Sequence, residues 1–298
     1  MSRYPAMFDV LKERGEGAFV PFVMVGDPDP TTSEAVIEAL IAGGADALEL
    51  GVPFTDPVAD GPTIQRAHVR ALAAGTSFRN CLEVVERVRR RHPQLPIGML
   101  IYGNVPFAMG LERFYDECAQ AGIDSVLLPD VPIRESAAFS QAAEAASVDA
   151  VYIAPPSAAA ETLDAVAAAS RGYVYAVSRV GVTGTERASS VEGLAESVER
   201  LRADAAAPVM LGFGISTPEQ VSEAIAAGAD GAISGSATVK IVERYAPEIV
   251  AATSEEHGGP GSEERRHYAL GALRSELVAF TAAMKEATRR HLSRPIAG

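Results

Sequence analysis

The hydrophobic residues of this chain fall into two kinds of segment that alternate along its length. Short continuous apolar runs are typical of strands that are buried on both faces of a parallel sheet. The alanine-rich segments between these runs are predicted to be helices. The pattern predicts strands at residues 18–25, 47–52, 96–102, 125–128, 150–153, 173–177, 209–211 and 231–233.

Helix signals and a weak internal repeat support this alternation. The triplets Gly-Ala-Asp, Gly-Ile-Asp and Gly-Ala-Asp each close a helix and open a strand, at residues 44–46, 122–124 and 228–230. Helices are predicted at residues 7–14, 35–42 (after a capping box at 31–34), 63–74, 78–91 and 111–121.

The strand and helix units together predict an α/β fold. Eight such units favour a single-domain (β/α)₈ TIM barrel over residues 1–298, with an extra N-terminal helix before the first strand. An open, doubly wound sheet of the Rossmann type is the alternative. Against it, no G-x-G-x-x-G motif follows the first strand.

The chain ends with a polar segment and one more predicted helix. Residues 254–263 are rich in Gly, Ser and Glu, a composition that predicts an exposed loop insert. After this insert, apolar residues recur every three or four positions, which predicts a long C-terminal helix that covers the barrel with one face. The residues of this stripe are Leu270, Leu273, Leu277, Phe280 and Met284.

Two carboxylates stand where packing alone gives no reason for them. Glu49 lies inside the strand 47–52, on the same face as Ala47 and Gly51, whose small size leaves space beside it. Asp60 lies on the proline-rich loop that follows this strand. A buried ion pair for Glu49 and a turn or capping role for Asp60 are the structural alternatives. The prolines stiffen the loop, which favours a catalytic acid/base pair.

Composition argues against several classes of function. The 298 residues carry a net charge of −13, which argues against nucleic acid and anionic membranes as partners, since both require a cationic surface. Cys81 and Cys118 lack CxxC spacing, which fits a reducing compartment. Because the sequence shows neither a signal-peptide core nor an apolar stretch of membrane-spanning length, we expect a cytoplasmic protein.

The carboxyl ends of the strands form the active site of a barrel. Besides Glu49, the predicted strand ends carry Phe22, Leu100, Tyr102 and Tyr175. After the sixth strand, residues 178–186 form a loop rich in Gly and Thr that is predicted to be a lid.

Small residues follow the last two strands. The motif G-F-G-I-S begins at Gly212, and Gly235 with Ser236 precedes a predicted helix. Small residues let backbone N–H groups and helix N-termini approach a phosphate group. Together with Gly184 in the lid, these positions predict a phosphate site that an acidic protein forms from local dipoles.

Missing residue types narrow the reaction class. The five histidines have no metal-ligand spacing and none ends a strand, so no metal site is predicted. No predicted strand carries a lysine, which argues against a Schiff-base aldolase and a pyridoxal phosphate enzyme. The residues by themselves predict a lyase or isomerase that transfers protons on a small, phosphorylated and largely apolar molecule.

The sequence resembles the tryptophan synthase alpha chain family along nearly its whole length. The only departure is the insert at 254–263, which looks longer than expected. The resemblance is carried by K-E-R-G-E-G-A-F-V-P-F from Lys12, A-D-A-L-E-L-G-V-P-F-T-D-P-V-A-D-G-P-T-I-Q from Ala45, L-L-P-D-V-P from Leu127, S-R-V-G-V-T-G from Ser178, G-F-G-I-S from Gly212 and G-A-I-S-G-S-A from Gly231.

The resemblance implies a metal-independent lyase of tryptophan biosynthesis that cleaves indole-3-glycerol phosphate by a retro-aldol reaction into indole and glyceraldehyde 3-phosphate. Glu49 would be the general acid and base, and Asp60 would stabilise positive charge at the indole nitrogen. We expect burial to raise the pKa of Glu49. The implied substrate-binding residues are Phe22, Leu100, Tyr102, Leu127 and Tyr175 around indole, Gly184, Gly214, Gly235 and Ser236 around the phosphate, and Thr183.

The resemblance also implies a partner, the tryptophan synthase beta chain, in an alpha-beta-beta-alpha tetramer. The beta chain would carry pyridoxal phosphate, with no cofactor in this chain, and would receive indole through a tunnel. The loops 53–60 and 179–185 would communicate between the two subunits. A non-catalytic regulatory subunit and a stand-alone lyase are the alternative functions.

Overall fold

A parallel sheet forms the centre of the computed structural model, which describes residues 2–155, 158–177, 198–203, 207–212, 214–251 and 262–289. The strands are β1 (Ala18–Met24), β2 (Leu48–Gly51), β3 (Ile97–Leu100), β4 (Ser125–Leu127), β5 (Asp149–Val151), β6 (Ile153–Ala154), β7 (Val174–Val177), β8 (Val209–Gly212) and β9 (Gly231–Ser234).

Helices alternate with these strands. They are α1 (Tyr4–Arg14), α2 (Pro30–Ala42), α3 (Pro62–Ala73), α4 (Phe78–Arg91), α5 (Asn104–Met109), α6 (Leu111–Ala121), α7 (Ala137–Ala145), α8 (Ala160–Ala169), α9 (Pro218–Ala226), α10 (Ser236–Ala251) and α11 (Ser262–Glu286). Residues 198–203 are also helical, and Ile133–Glu135 form a 3₁₀ turn.

The sheet closes into a barrel. Its strand order is β5-β4-β3-β2-β1-β9-β8-β7-β6, and the paired strands are parallel. The two outer strands of this order, β5 and β6, are separated in the chain only by Tyr152. They are therefore two halves of one barrel strand, and the nine strands form an eight-stranded barrel. The predicted (β/α)₈ fold is confirmed, with the fifth predicted strand divided in two.

Alternation along the strands fills the barrel with side chains. Ala18, Val20, Leu127 and Met210 are among the buried residues that point inwards and pack into one apolar cluster. The other face of each strand packs against the helices in a second, larger cluster. Because a barrel interior has little room, small and large residues must alternate around it.

Helix α1 closes the amino-terminal end of the barrel. Tyr4 is fully buried and belongs to the interior cluster. Its ring lies edge-on to Tyr173, with 5.3 Å between the centroids, and its hydroxyl group lies 3.0 Å from Ser125 Oγ at the start of β4. The extra N-terminal helix is therefore part of the core.

The long C-terminal helix is also confirmed. Leu273, Leu277 and Met284 are buried, and Leu270 and Phe280 pack partly buried against the core, so the predicted stripe faces inwards. Helix α11 packs against α2 and α10. Of the predicted insert, residues 254–261 lie outside the described residues, and Ser262 and Glu263 form the first turn of α11. That residues 1–298 form one domain stays a prediction.

One local prediction was wrong, and one short helix was missed. Helix α2 begins at Pro30, because the Asp29 side chain accepts a hydrogen bond from Thr32 N at 2.9 Å; the predicted helix began five residues later, at residue 35. Helix α5 was not predicted, because its six residues are too few to show helical periodicity.

Asp124 ties three elements to the start of β4. Its Oδ1 accepts bonds from Arg3 N (3.1 Å) and from the Arg3 guanidinium group (2.8 Å). Its Oδ2 accepts bonds from Ile97 N (2.9 Å) and from the Arg89 guanidinium group (2.7 Å). Because both oxygens are buried and satisfied, this carboxylate joins α1, α4 and β3 at the bottom of the barrel.

We expect Asp124→Ala to lower the free energy of unfolding by about 3–5 kcal/mol, because it removes the buried carboxylate to which Arg3, Arg89 and the Ile97 amide all donate. Urea unfolding at neutral pH measures this change. Asp164→Ala is the control, since Asp164 forms an exposed ion pair with Arg200 and its loss has a much smaller effect. Equal destabilisation by both substitutions would contradict this account.

Candidate functional site

Glu49 points into the barrel from β2. Its neighbours in register are Phe22 on β1 and Gly98 on β3. Its residue surface is only 2% exposed, and the Tyr173 hydroxyl group donates a hydrogen bond to Oε1. Across the described residues, no arginine, lysine or histidine forms an ion pair with it. Glu49 is therefore a buried carboxyl group to which one neutral group, among the described residues, donates a hydrogen bond.

These surroundings change the acidity of Glu49. Burial raises its pKa from 4.5 to about 7, and the hydrogen bond from Tyr173 opposes this rise. Removal from water penalises the charged form, and one neutral donor compensates only part of the penalty. The raised pKa expected from the sequence agrees with this value, and a carboxyl group with a pKa of about 7 can both give and take a proton near neutral pH.

Asp60 lies at the end of the loop between β2 and α3. Its carboxylate is buried, and Oδ2 accepts a hydrogen bond from the Tyr102 hydroxyl group at 2.8 Å. The same hydroxyl oxygen accepts a bond from Ala59 N at 3.0 Å. The Tyr102 ring also stacks on Phe54, with 5.0 Å between the centroids. Tyr102 therefore holds both ends of the loop that carries Asp60.

His68 is a further neighbour of Asp60 that the sequence analysis missed. It lies on α3, and its Nε2 is 3.1 Å from Asp60 Oδ2. The sequence analysis considered histidines only as metal ligands and only at strand ends. A usable signal was present, since His68 falls in the buried helical stripe of α3 with Ile64, Ala67 and Ala71.

Tyr175 lies near both carboxylates. Burial raises its pKa well above the ordinary value, and the charges of Glu49 and Asp60 raise it further. A Cβ atom at Gly212 would collide with the Tyr175 ring, so glycine at this strand end leaves the space that the ring occupies. The structure thus brings Glu49, Asp60 and Tyr175 together at the carboxyl end of the barrel.

The other residues predicted to contact indole lie around this point. Leu100 pairs with Gly51 and Leu127 across β2, β3 and β4, and it packs against the apolar cluster that contains Phe22. A Cβ atom at Gly51 would lie 2.6 Å from Phe22 Cζ, so this glycine provides space for the Phe22 ring. The result is an apolar wall beside Glu49.

The residues predicted to hold a phosphate lie on the neighbouring side of the barrel. Gly214 follows β8 with φ at +83°, and Gly235 connects β9 to Ser236, the first residue of α10. The Ser234 hydroxyl group donates to the carbonyl oxygen of Ile215 at 2.8 Å, which holds the two loops side by side. Thr183, Gly184 and the predicted lid 178–186 lie outside the described residues.

The residues predicted to contact indole and those predicted to hold a phosphate adjoin each other at Phe22. A Cβ atom at Gly235 would lie 3.7 Å from Phe22 Cδ1, and Phe22 is in register with Glu49. Phe22 therefore lies between Glu49 on β2 and the loop that leads from β9 into α10.

Two other kinds of feature are absent from the described residues. Within the ranges that the structure describes, no helix is long and apolar enough to cross a membrane. The same ranges contain no cluster of three or more His, Cys, Asp or Glu side chains placed to hold a metal ion. The predicted absence of a metal and of a cofactor in this chain stays a prediction.

Comparison with known proteins gives one consistent result. Residues 8–263 match the family model described as tryptophan synthase alpha chain. The chain is 54% identical over 290 residues to the tryptophan synthase alpha chain of Corynebacterium efficiens, covering 97% of this chain and 100% of the relative. It is 54% identical over 247 residues to that of Aeromonas hydrophila, covering 82% and 91%.

Solved structures give the same result. The chain is similar to a chain of Mycobacterium tuberculosis tryptophan synthase, with a TM-score of 0.80, 31% identity and coverage of 97% and 99%. It is similar to tryptophan synthase subunit alpha of Legionella pneumophila, with a TM-score of 0.79, 28% identity and coverage of 97% and 98%. Because these matches cover nearly the whole chain, the chain belongs to the tryptophan synthase alpha chain family.

Proposed function

We propose that this chain cleaves indole-3-glycerol phosphate into indole and glyceraldehyde 3-phosphate by a retro-aldol reaction in which Glu49 transfers protons. As a member of its family, the chain is a lyase of tryptophan biosynthesis. The observation that carries the finer proposal is Glu49 itself, a buried carboxyl group with a pKa of about 7 that points into the barrel.

The reaction requires one proton to be given and one to be taken. Glu49, as the acid, protonates the indole ring carbon that bears the glycerol chain, and positive charge develops at the indole nitrogen. The resulting carboxylate then takes the proton of the adjacent glycerol hydroxyl group. The carbon–carbon bond breaks as the aldehyde forms, and its electron pair restores the aromatic indole. A group with a pKa of about 7 populates both forms near neutral pH.

Asp60 has a different role in this proposal. Its carboxylate faces the indole nitrogen and stabilises the positive charge that develops there, an effect that is strong in a site shielded from water. Within the part of the chain that the structure describes, its hydrogen-bond donors Tyr102 and His68 both contact Oδ2, so Oδ1 is the oxygen proposed to face the substrate. Tyr175, near both carboxylates, and the wall formed by Phe22, Leu100 and Leu127 hold the ring.

The phosphate is proposed to lie between Gly214 and the N-terminus of α10. Helix α10 is 16 residues long and begins at Ser236, so its first N–H groups and its dipole favour an anion. The small residues Gly235 and Ser236 let the phosphate approach the backbone. Gly184 and Thr183 are proposed to complete this end of the site.

The proposed partner is a tryptophan synthase beta chain, in an alpha-beta-beta-alpha tetramer, with pyridoxal phosphate on the beta chain. Two apolar side chains support a docking surface on this side of the barrel. Val58, in the loop after β2, is 74% exposed, and Phe107, on α5 after β3, is 77% exposed. Tyr102 joins the two segments through Ala59, so a subunit that docks here contacts the loop that carries Asp60.

We expect the purified chain to release indole from indole-3-glycerol phosphate, and release to rise when the beta chain is added. Glu49→Gln and Asp60→Asn should each lower release by about 100-fold or more, since each removes a group that acts on the reacting ring. A coupled assay of glyceraldehyde 3-phosphate, which forms in the same amount as indole, measures the rate of cleavage. Indole release that does not depend on Glu49 would refute the mechanism. If folded protein releases no indole, the remaining interpretation is a non-catalytic regulatory subunit.

The pH dependence of cleavage tests the assignment of the proton donor. Single-turnover rates should show an ionisation near pH 7 that is absent in Glu49→Gln. In Tyr173→Phe the midpoint should move to higher pH, because the lost hydroxyl group stabilised the carboxylate. Tyr4→Phe is the matched control, since Tyr4 lies in the same cluster but bonds to Ser125. A downward shift in Tyr173→Phe would contradict the proposal.

Burial of Glu49 should also reduce stability as pH rises. Between its ordinary pKa of 4.5 and about 7, the folded state binds more protons than the unfolded state, so stability falls through this window. Glu49→Gln lacks this penalty, and its stability relative to wild type should increase by about 3 kcal/mol between pH 4 and pH 8. Urea unfolding across pH measures the difference, with the exposed Glu144→Gln as a control that should show no such trend.

A further inference from the structure

The carboxylate of Asp60 is held by a histidine that itself has a second hydrogen bond. His68 lies on the inner face of α3 and is 1% exposed. Its Nδ1 accepts a hydrogen bond from the backbone N–H of Phe54 at 2.9 Å. On the other side of the ring, Nε2 is 3.1 Å from Asp60 Oδ2. One buried ring therefore contacts both ends of the loop that leads from β2 to α3.

The contact with Phe54 fixes the protonation pattern of this ring. A nitrogen that accepts a hydrogen bond carries no proton, so the single proton of the neutral imidazole must be on Nε2. Nε2 therefore donates to Asp60 Oδ2. A doubly protonated ring has no acceptor and would lose the bond from Phe54. Both contacts thus require a neutral histidine that donates in one direction only.

His68 and Tyr102 act on the loop in parallel. Each contacts Phe54 near the start of the loop and Asp60 at its end, Tyr102 through ring stacking and its hydroxyl group, His68 through its two nitrogens. Both donors contact Oδ2, and among the described residues none donates to Oδ1. Two donors on one oxygen fix the orientation of the carboxylate plane, and this also fixes the position of Oδ1.

The donors to Asp60 are neutral, and the more buried of the two arginines that flank His68 on the helix has other partners. Arg70, two residues after His68, donates to both carboxylate oxygens of Asp27 at 2.6 and 2.8 Å, and to Glu243 at 3.1 Å. In the described ranges, neither arginine nor lysine forms an ion pair with Asp60. The negative charge of Asp60 is therefore oriented without being neutralised.

We propose that His68 is a positioning residue that, as a neutral donor anchored to the Phe54 backbone, orients Asp60 so that Oδ1 meets the positive charge formed at the substrate nitrogen. This inference rests on the proposed function, because it acts through the role of Asp60. In this role, His68 affects the rate of the chemical step but not the binding of the ground-state substrate.

Three substitutions separate the two contacts of the ring. His68→Gln places an amide N–H near the position of Nε2, His68→Asn places a carbonyl oxygen near the position of Nδ1, and His68→Leu removes both groups. We expect Leu to lower kcat by about 10- to 100-fold with KM changed by less than about 3-fold, as for a lost hydrogen bond to a charged group. Gln should recover most of kcat, whereas Asn should recover thermal stability but little of kcat.

The control is His92→Gln, because His92 pairs with Glu38 at 2.9 Å on the outside of the barrel and should leave kcat unchanged. Circular dichroism melts establish that each variant is folded. If Asn restores kcat as well as Gln does, or if all three His68 variants keep the wild-type kcat, the proposal is wrong.

A double-mutant cycle completes the test. In an Asp60→Asn background, His68→Leu should lower the single-turnover rate by less than about 2-fold, since its effect passes through the carboxylate that is already lost. Independent, multiplicative losses would overturn the role of His68. The Asp60→Asn variant separates failure of the proposed function from failure of this inference. Wild-type activity of Asp60→Asn would refute the proposed function. Loss of activity in Asp60→Asn, together with wild-type activity in His68→Leu, would refute only the role of His68.

Discussion

The burial of Glu49 inside a closed barrel is the constraint on which the rest of the site depends. A carboxyl group in this position is tolerated because Gly51 and Gly98 lie around it and because Tyr173 donates one hydrogen bond. An arginine in place of Tyr173 would pair with the carboxylate and lower its pKa. One neutral donor instead leaves the pKa at about 7, so the proton can leave and return near neutral pH.

The position of Tyr173 follows from packing at the opposite end of the barrel. Tyr4, on α1, fills the amino-terminal end and contacts Tyr173 edge-on. Asp124 fixes α1 through Arg3, and so holds Tyr4 in place. A chain of buried contacts thus leads from Asp124 through Tyr4 and Tyr173 to Glu49, which gives the N-terminal helix a part in orienting the carboxyl group.

The sequence predicted the features that depend on short-range patterns. Continuous apolar runs placed the strands, and a charged residue inside one of them identified Glu49. Partners from distant parts of the chain were not predictable, because Tyr173 and His68 gain their roles only when the barrel closes. Tyr173 looked like an ordinary strand residue, and the break at Tyr152 and the short helix α5 left no periodic signal. The resemblance supplied Leu127 and the identity of the reaction, which neither spacing nor composition gives.

Both carboxyl groups act on Tyr175, yet they have different surroundings, and the difference follows from the element that carries each one. Glu49 extends from a strand into the apolar interior, where removal from water dominates and a proton is readily held. Asp60 extends from a loop against α3, where Tyr102 and His68 supply two donors to the same oxygen. In the proposed reaction, a rigid strand suits Glu49, which must reach a carbon atom of the substrate. A loop held at both ends suits Asp60, which must face the charge on the substrate nitrogen. Val58 is exposed on that same loop, and the Tyr102 hydroxyl group contacts both its neighbour Ala59 and the Asp60 carboxylate, so one side chain joins the surface of the loop to the site.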